Sequence, residues 1–149
     1  MIVPIAKKGD KKFLMVIRQL RYPTNRYILE FPGGMIDEGE SLETSALREM
    51  KEETGYAGKF VKTIPTFSSF TDPWKSNESV MTMVVSVDLE DPENKNPHQN
   101  LDDTENIAVH FVDITNRSEA MENLRVLAKE SNSTVSRDIY GFILGLSGS

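Results

Sequence analysis

The sequence predicts an α/β domain, with one helix set among the strands and two more after the last strand. Three observations lead there. Short apolar runs rich in Val, Ile, Met and Phe recur along the first three quarters of the chain. A Glu-rich segment with helical spacing interrupts them, and two segments with an apolar stripe of period 3.6 close the chain. At 149 residues, one domain spanning 1–149 around one core is expected.

In order, Phe13 to Leu20 reads as a strand, and Ile2 to Ala6 as its pairing partner. Tyr27 to Phe31 is a short strand running into Pro32-Gly33-Gly34. Leu42 to Thr54 is a helix. Ser41 is its N-cap, Leu42, Ala46 and Met50 form its apolar stripe, and Gly55 is its stop. Gly58 to Pro65 and Val80 to Leu89 read as strands. Residues 91–106, DPENKNPHQNLDDTEN, are polar with two prolines and read as a long loop, functional or mobile. Ile107 to Ile114 is the last strand. Ser118 to Glu130 is a helix with Met121, Leu124 and Leu127 inward, and Val135 to Leu146 one with Ile139, Phe142, Ile143 and Leu146 on a single face.

Composition removes several functions. A net charge of −6 argues against a general nucleic-acid binder. With no cysteine there is no disulfide or thiol chemistry. No run of 18 apolar residues offers a membrane span, and the start, MIVPIAKKGDKK, lacks the apolar core of a signal peptide. A cytoplasmic location is the default, with the nucleus open.

The most informative stretch is Gly34 to Tyr56, GMIDEGESLETSALREMKEETGY. Acidic side chains crowd Asp37 to Glu53, around and within one short helix. Such like charge is unfavourable unless a cation neutralises it, and divalent cations serve phosphate chemistry. Glu49 and Glu53 are one turn apart on one face, Glu52 borders it, and Arg48 reaches Glu52 at i+4. The paired glycines before the helix let backbone approach a ligand closely.

These residues resemble the signature of the Nudix hydrolases. That pattern runs Gly, five residues, Glu, seven residues, Arg-Glu, an aliphatic residue, one residue, Glu-Glu, one residue, Gly and an aliphatic or aromatic residue. Gly34, Glu40, Arg48, Glu49, Met50, Glu52, Glu53, Gly55 and Tyr56 fill it. The resemblance implies the Nudix fold, a mixed sheet sandwiched between helices. Outside the signature, IRQLRYP ending at Pro23, ILEFPGG, Pro73 seventeen residues after Tyr56, and Asp103-Thr104-Glu105 resemble the ADP-ribose and ADP-sugar pyrophosphatase branch. That implies hydrolysis of ADP-ribose or a related ADP-sugar to AMP and a sugar phosphate with Mg2+, Mn2+ being the alternative cation. Another nucleoside diphosphate derivative, such as NADH or a dinucleoside polyphosphate, and a non-catalytic nucleotide-binding module remain as other readings.

Roles follow from the chemistry and the resemblance together. Glu49 and Glu53 are the metal pair. Glu52 is a further ligand or the base to a metal-bound water, and the Gly33 carbonyl resembles a backbone ligand of the family. Arg48 holds the Glu52 carboxylate, and Glu40 supports the shell or Arg48, or is a plain loop carboxylate. Glu105 is a base from the loop or a solvated acid. Arg21 is the candidate phosphate or ribose contact, because a planar guanidinium matches phosphate bidentately, or else a surface arginine of its strand. Glu30, Gly34 and Glu78 border the substrate. Trp74, the sole tryptophan, stacks on adenine or serves packing or an interface. Trp74 and Lys75 stand where the branch has a glycine after the proline. The chain begins almost at the first strand, without the segment through which close relatives dimerise; a shorter relative and a truncated chain are both open, as is a homodimer.

Overall fold

The computed structural model describes residues 1–147, apart from the side chains of residues 65–68 and 147. Seven strands and three helices follow in the order β1 (Ile2–Lys8), β2 (Lys11–Arg21), β3 (Arg26–Glu30), α1 (Leu42–Thr54), β4 (Lys59–Phe70), β5 (Ser79–Asp88), β6 (Ile107–Asp113), α2 (Ala120–Glu130), β7 (Thr134–Val135) and α3 (Arg137–Ser147). The sheet runs β4-β5-β1-β2-β3-β7, with β6 paired to β2. β1 with β5 and β3 with β7 are parallel, and the other pairs are antiparallel. The sheet is mixed, as expected.

Strand alternation explains why helices cover both faces. Along β1 and β2, neighbouring residues point to opposite sides. Val3, Leu14 and Val16 enter one core with Leu124 of α2 and Ile139 and Ile143 of α3. Ile2, Met15 and Val85 enter the other with Ala46 and Met50 of α1. The inward faces predicted for all three helices are the buried ones.

Boundaries differ where a side chain or a pairing outweighs the pattern. β4 continues past Pro65 to Phe70 across a register shift between Ile64 and Ser69. A proline lacks the N–H of a regular ladder, so the pattern alone stopped there. α2 begins at Ala120 instead of Ser118, because Asn116 Oδ1 accepts hydrogen bonds from the Ser118 amide and hydroxyl and holds that residue in a turn. Val135 belongs to β7, paired with Leu29, and α3 starts two residues later.

The polar segment 91–106 is tied down at several points. Pro92–Asn94 forms a short 3-10 turn. Buried Asn94 accepts from the Ala57 amide and donates to the carbonyls of Ala57 and Asp88. Gln99 Nε2 donates to the carbonyls of Glu53 and Ile107, and the Asn100 amide to that of Glu52. Two carbonyls that the end of α1 leaves without helical partners are thus capped by the loop.

Candidate active site

Helix α1 is built from its caps inward. Ser41 accepts from the Thr44 amide at the N-terminus. Gly55 ends the helix in the left-handed region at φ 78°, and its amide donates to Lys51 O. A side chain at Gly55 is excluded twice, by that φ and because a Cβ would lie 2.6 Å from the His98 amide nitrogen. With its apolar stripe on the sheet, the helix turns Arg48, Glu49, Glu52 and Glu53 toward the glycine loop.

Arg48 is the hub of the carboxylates. Its Nη1 donates to Glu49 at 2.9 Å and to Glu52 at 3.1 Å. Nε and Nη2 form a fork on Glu40 at 3.0 and 2.9 Å, and Nη2 also reaches Met35 O. These contacts hold the guanidinium firmly protonated and the Glu40 carboxyl below its usual range. Glu40 therefore serves Arg48, one of its two expected roles, and the reach of Arg48 to Glu52 is confirmed.

Glu53 has the opposite environment. It is buried, and its Oε2 accepts from the Gly33 amide at 2.7 Å. No described ion pair includes it. Burial first, then the charges of Glu49 and Glu105, push its pKa up to about 7, against the opposing Gly33 hydrogen bond and the Arg21 charge. The Gly33 amide is thus bound to Glu53, while its carbonyl was the atom expected at the metal. Gly34 is needed for space, since a Cβ there would overlap the Glu49 carboxylate.

Among the described residues, no three acidic or histidine side chains already surround one point, and Arg48 lies between Glu40, Glu49 and Glu52. The donor set nonetheless fits a hard divalent cation. It is all oxygen, the charges of Glu49 and Glu53 act on each other, and its most buried carboxylate is in no described ion pair. Glu49 and Glu53 would hold such an ion, with Glu52 next in line.

Beside this floor lies a cleft of about 470 Å³. Gly33 and Gly34 form one end, Arg21 and Glu30 one side, and Phe70, Thr71 and Glu78 of the β4–β5 hairpin the other. Arg21 Nε donates to Glu30 at 2.7 Å. Thr71 Oγ1 donates to Glu78 at 3.2 Å, closing the base of the hairpin. Four expected substrate-side residues, Arg21, Glu30, Gly34 and Glu78, therefore share one cleft with Gly33.

Trp74 does not line it. Lys75 and Ser76 both donate to Asp72 O, a tight turn that carries Trp74 to the hairpin tip, 83% exposed beside Phe70 and Pro73. Such exposure also removes a packing role within the described chain. Phe70 is the aromatic that borders both places. Glu105 accepts from the Asp102 amide at 3.0 Å and closes a turn, yet its charge still reaches Glu53.

Sequence reasoning missed Arg137 and Asp138, which line the cleft from the start of α3. They lie far downstream of the signature, and only the pairing of β7 beside β3 brings them close. It also missed Gln99 and Asn94, whose roles are hydrogen bonds to main chain and leave no mark in spacing.

Comparison with known proteins agrees with this architecture. The NUDIX domain family matches residues 1–131. An ADP-ribose pyrophosphatase of Saccharomyces cerevisiae is 40% identical over 108 residues, 72% of this chain and 46% of the yeast protein. An ADP-sugar pyrophosphatase of Mus musculus is 30% identical over 148 residues, 97% of this chain and 65% of the mouse protein. The chain thus spans about half the length of the yeast relative. Among solved structures, the NUDIX domain of Shewanella oneidensis NrtR, crystallised with ADP ribose, superposes with a TM-score of 0.53 at 16% identity, covering 95% of this chain and 80% of that one. At that identity the likeness concerns the fold alone. With that family matched over residues 1–131, most of its length, the chain belongs to the NUDIX domain family.

Proposed function

We propose that this domain hydrolyses the diphosphate bond of ADP-ribose or a related ADP-sugar, giving AMP and a sugar phosphate, with Mg2+ or, in its place, Mn2+. The observation that carries the reading is Glu53, a buried carboxylate raised to about 7 under the charge of Glu49 and hydrogen-bonded to the amide of Gly33, which lines a cleft together with Arg21. The names of the yeast and mouse relatives support the substrate class.

The cation, when bound, neutralises phosphate charge and makes a coordinated water easier to deprotonate. The protein's own residues do the rest. Glu49 and Glu53 hold the ion. Arg48 fixes Glu49 and Glu52 in place, so that little motion is needed during reaction. Glu52, 37% exposed, accepts a proton from attacking water; Glu105 is the other candidate, its Oε2 already engaged by Asp102. Arg21 supplies a planar donor pair to phosphate once it is shared with Glu30. Residues 1–149 act as a single domain on a small-molecule substrate.

Product analysis decides the matter. Purified protein with Mg2+ converts ADP-ribose to AMP and ribose 5-phosphate, and does so in preference to NADH and dinucleoside polyphosphates. A folded sample that leaves ADP-ribose and ADP-sugars intact refutes the assignment.

A further inference from the structure

Arg137, the first residue of α3, lines the same cleft as Arg21. Among the described residues, these two are the arginine or lysine side chains that line it. They are held very differently. Arg21 donates to the Glu30 carboxylate at 2.7 Å, a partner that neutralises it. Arg137 donates through Nη2 to a neutral acceptor, the main-chain carbonyl of Thr71, and stands 4.0 Å from Asp138. Its side chain is 71% exposed. A guanidinium carries five N–H donors, and one carbonyl engages a small part of them. A solvent-exposed cation, loosely paired with Asp138 at 4.0 Å and with most of its donors unengaged by the Thr71 carbonyl, therefore lines the cleft beside Arg21.

We propose that Arg137 is a diphosphate-binding residue of this site. With the cleft empty it rests on the Thr71 carbonyl; a bound diphosphate draws its guanidinium inward. The exchange is favourable because a hydrogen bond to a charged phosphate oxygen is about twice as strong as one to a neutral carbonyl. This rests on reading the cleft as a nucleoside diphosphate site.

A purely structural role would be to tie α3 to the β4–β5 hairpin. Arg137→Gln removes the charge and leaves a shorter neutral donor, and the melting temperature reports any loss of the tie to Thr71. Arg137→Lys keeps the charge without the planar fork. Binding of inorganic pyrophosphate, ADP-ribose and adenosine is measured calorimetrically in Mg2+ for wild type and both variants, with melting temperature as the check on folding. Arg137→Gln is expected to weaken pyrophosphate and ADP-ribose about tenfold, to change adenosine less than twofold, and to melt as wild type does; Arg137→Lys retains part of the affinity. Unchanged pyrophosphate binding in Arg137→Gln overturns the proposal. So does an equal loss for adenosine, or a wild type that does not bind pyrophosphate. Turnover of ADP-ribose is followed in the same samples. A wild type that binds pyrophosphate through Arg137 but leaves ADP-ribose intact sinks the hydrolase reading alone.

Discussion

Helix α1, bonded through Glu53 to the glycine loop of the cleft, and the β4–β5 hairpin that lines the cleft are built in opposite ways. The helix carries its acidic residues on a buried frame, with Met50 in the core, Gly55 pressed on His98 and Arg48 joining three glutamates. The hairpin between Thr71 and Glu78 is exposed, held by the Thr71–Glu78 hydrogen bonds and the reach of Arg137. The lesson is a division of labour. Charge that must not move sits on a cross-linked helix, and the groups that read the rest of a substrate sit where small shifts are cheap. Substitutions on the helix should therefore damage rate, and substitutions on the hairpin should damage selectivity.

The largest effect belongs to Glu53→Gln. Size is kept and the buried charge lost. We expect at least a hundredfold fall in kcat, about 2.7 kcal/mol of barrier, with the fold intact. A variant that keeps most of its activity at low Mg2+ removes Glu53 from the metal floor.

Gly34→Ala comes next. The new methyl displaces the Glu49 carboxylate, a flexible side-chain end, so melting temperature should change little while activity falls roughly tenfold. Unaltered activity would show that the position of Glu49 is not critical.

Glu105→Gln tests the loop. As a proton acceptor it should lower kcat and leave KM nearly unchanged. Asp102→Asn and Asp103→Asn, which alter charge in the same turn, should matter much less. Equal losses at all three positions would mean a diffuse field, and no loss would leave Glu52 as the acceptor. The smallest effect is predicted for Trp74→Ala, within twofold in KM and kcat, since the residue is exposed and does not line the cleft. A large rise in KM would bring the hairpin tip into the substrate site.

Much of this contrast was legible in the sequence, and the split follows the same line. Helix α1 was readable from cap to stop because its constraints are local: Ser41, the Ala46–Met50 stripe and Gly55 each act within a turn or two. The carboxylate phasing needed only the helical period. The cleft wall was partly readable, because Arg21, Glu30 and Glu78 lie on or beside strands that resemble a known branch. The place of Trp74 outside the cleft was not readable, because it depends on the turn at Asp72, which composition does not specify. Arg137 was invisible because its contact to Thr71 spans 66 residues and is made to main chain. The anchoring of 91–106 was hidden for the same reason. Gln99 and Asn94 bond carbonyls and amides, and such bonds leave no pattern in side-chain type.

Coupled proton and metal binding tests the central claim, that Glu53 is the buried carboxylate of a metal floor. Without metal, its raised pKa makes the protonated form the stable one. That contribution is fully present below the unfolded value near 4.5 and is lost as pH rises through about 7. The metal-free protein should accordingly melt higher at pH 5.5 than at pH 8, and Mg2+ should restore stability at the higher pH. At pH 6, Mg2+ binding to wild type should release a proton in calorimetry run in buffers of different ionisation enthalpy, and Glu53→Gln should bind weakly and release none. Equal Mg2+ affinity and equal proton release in both proteins would contradict the account.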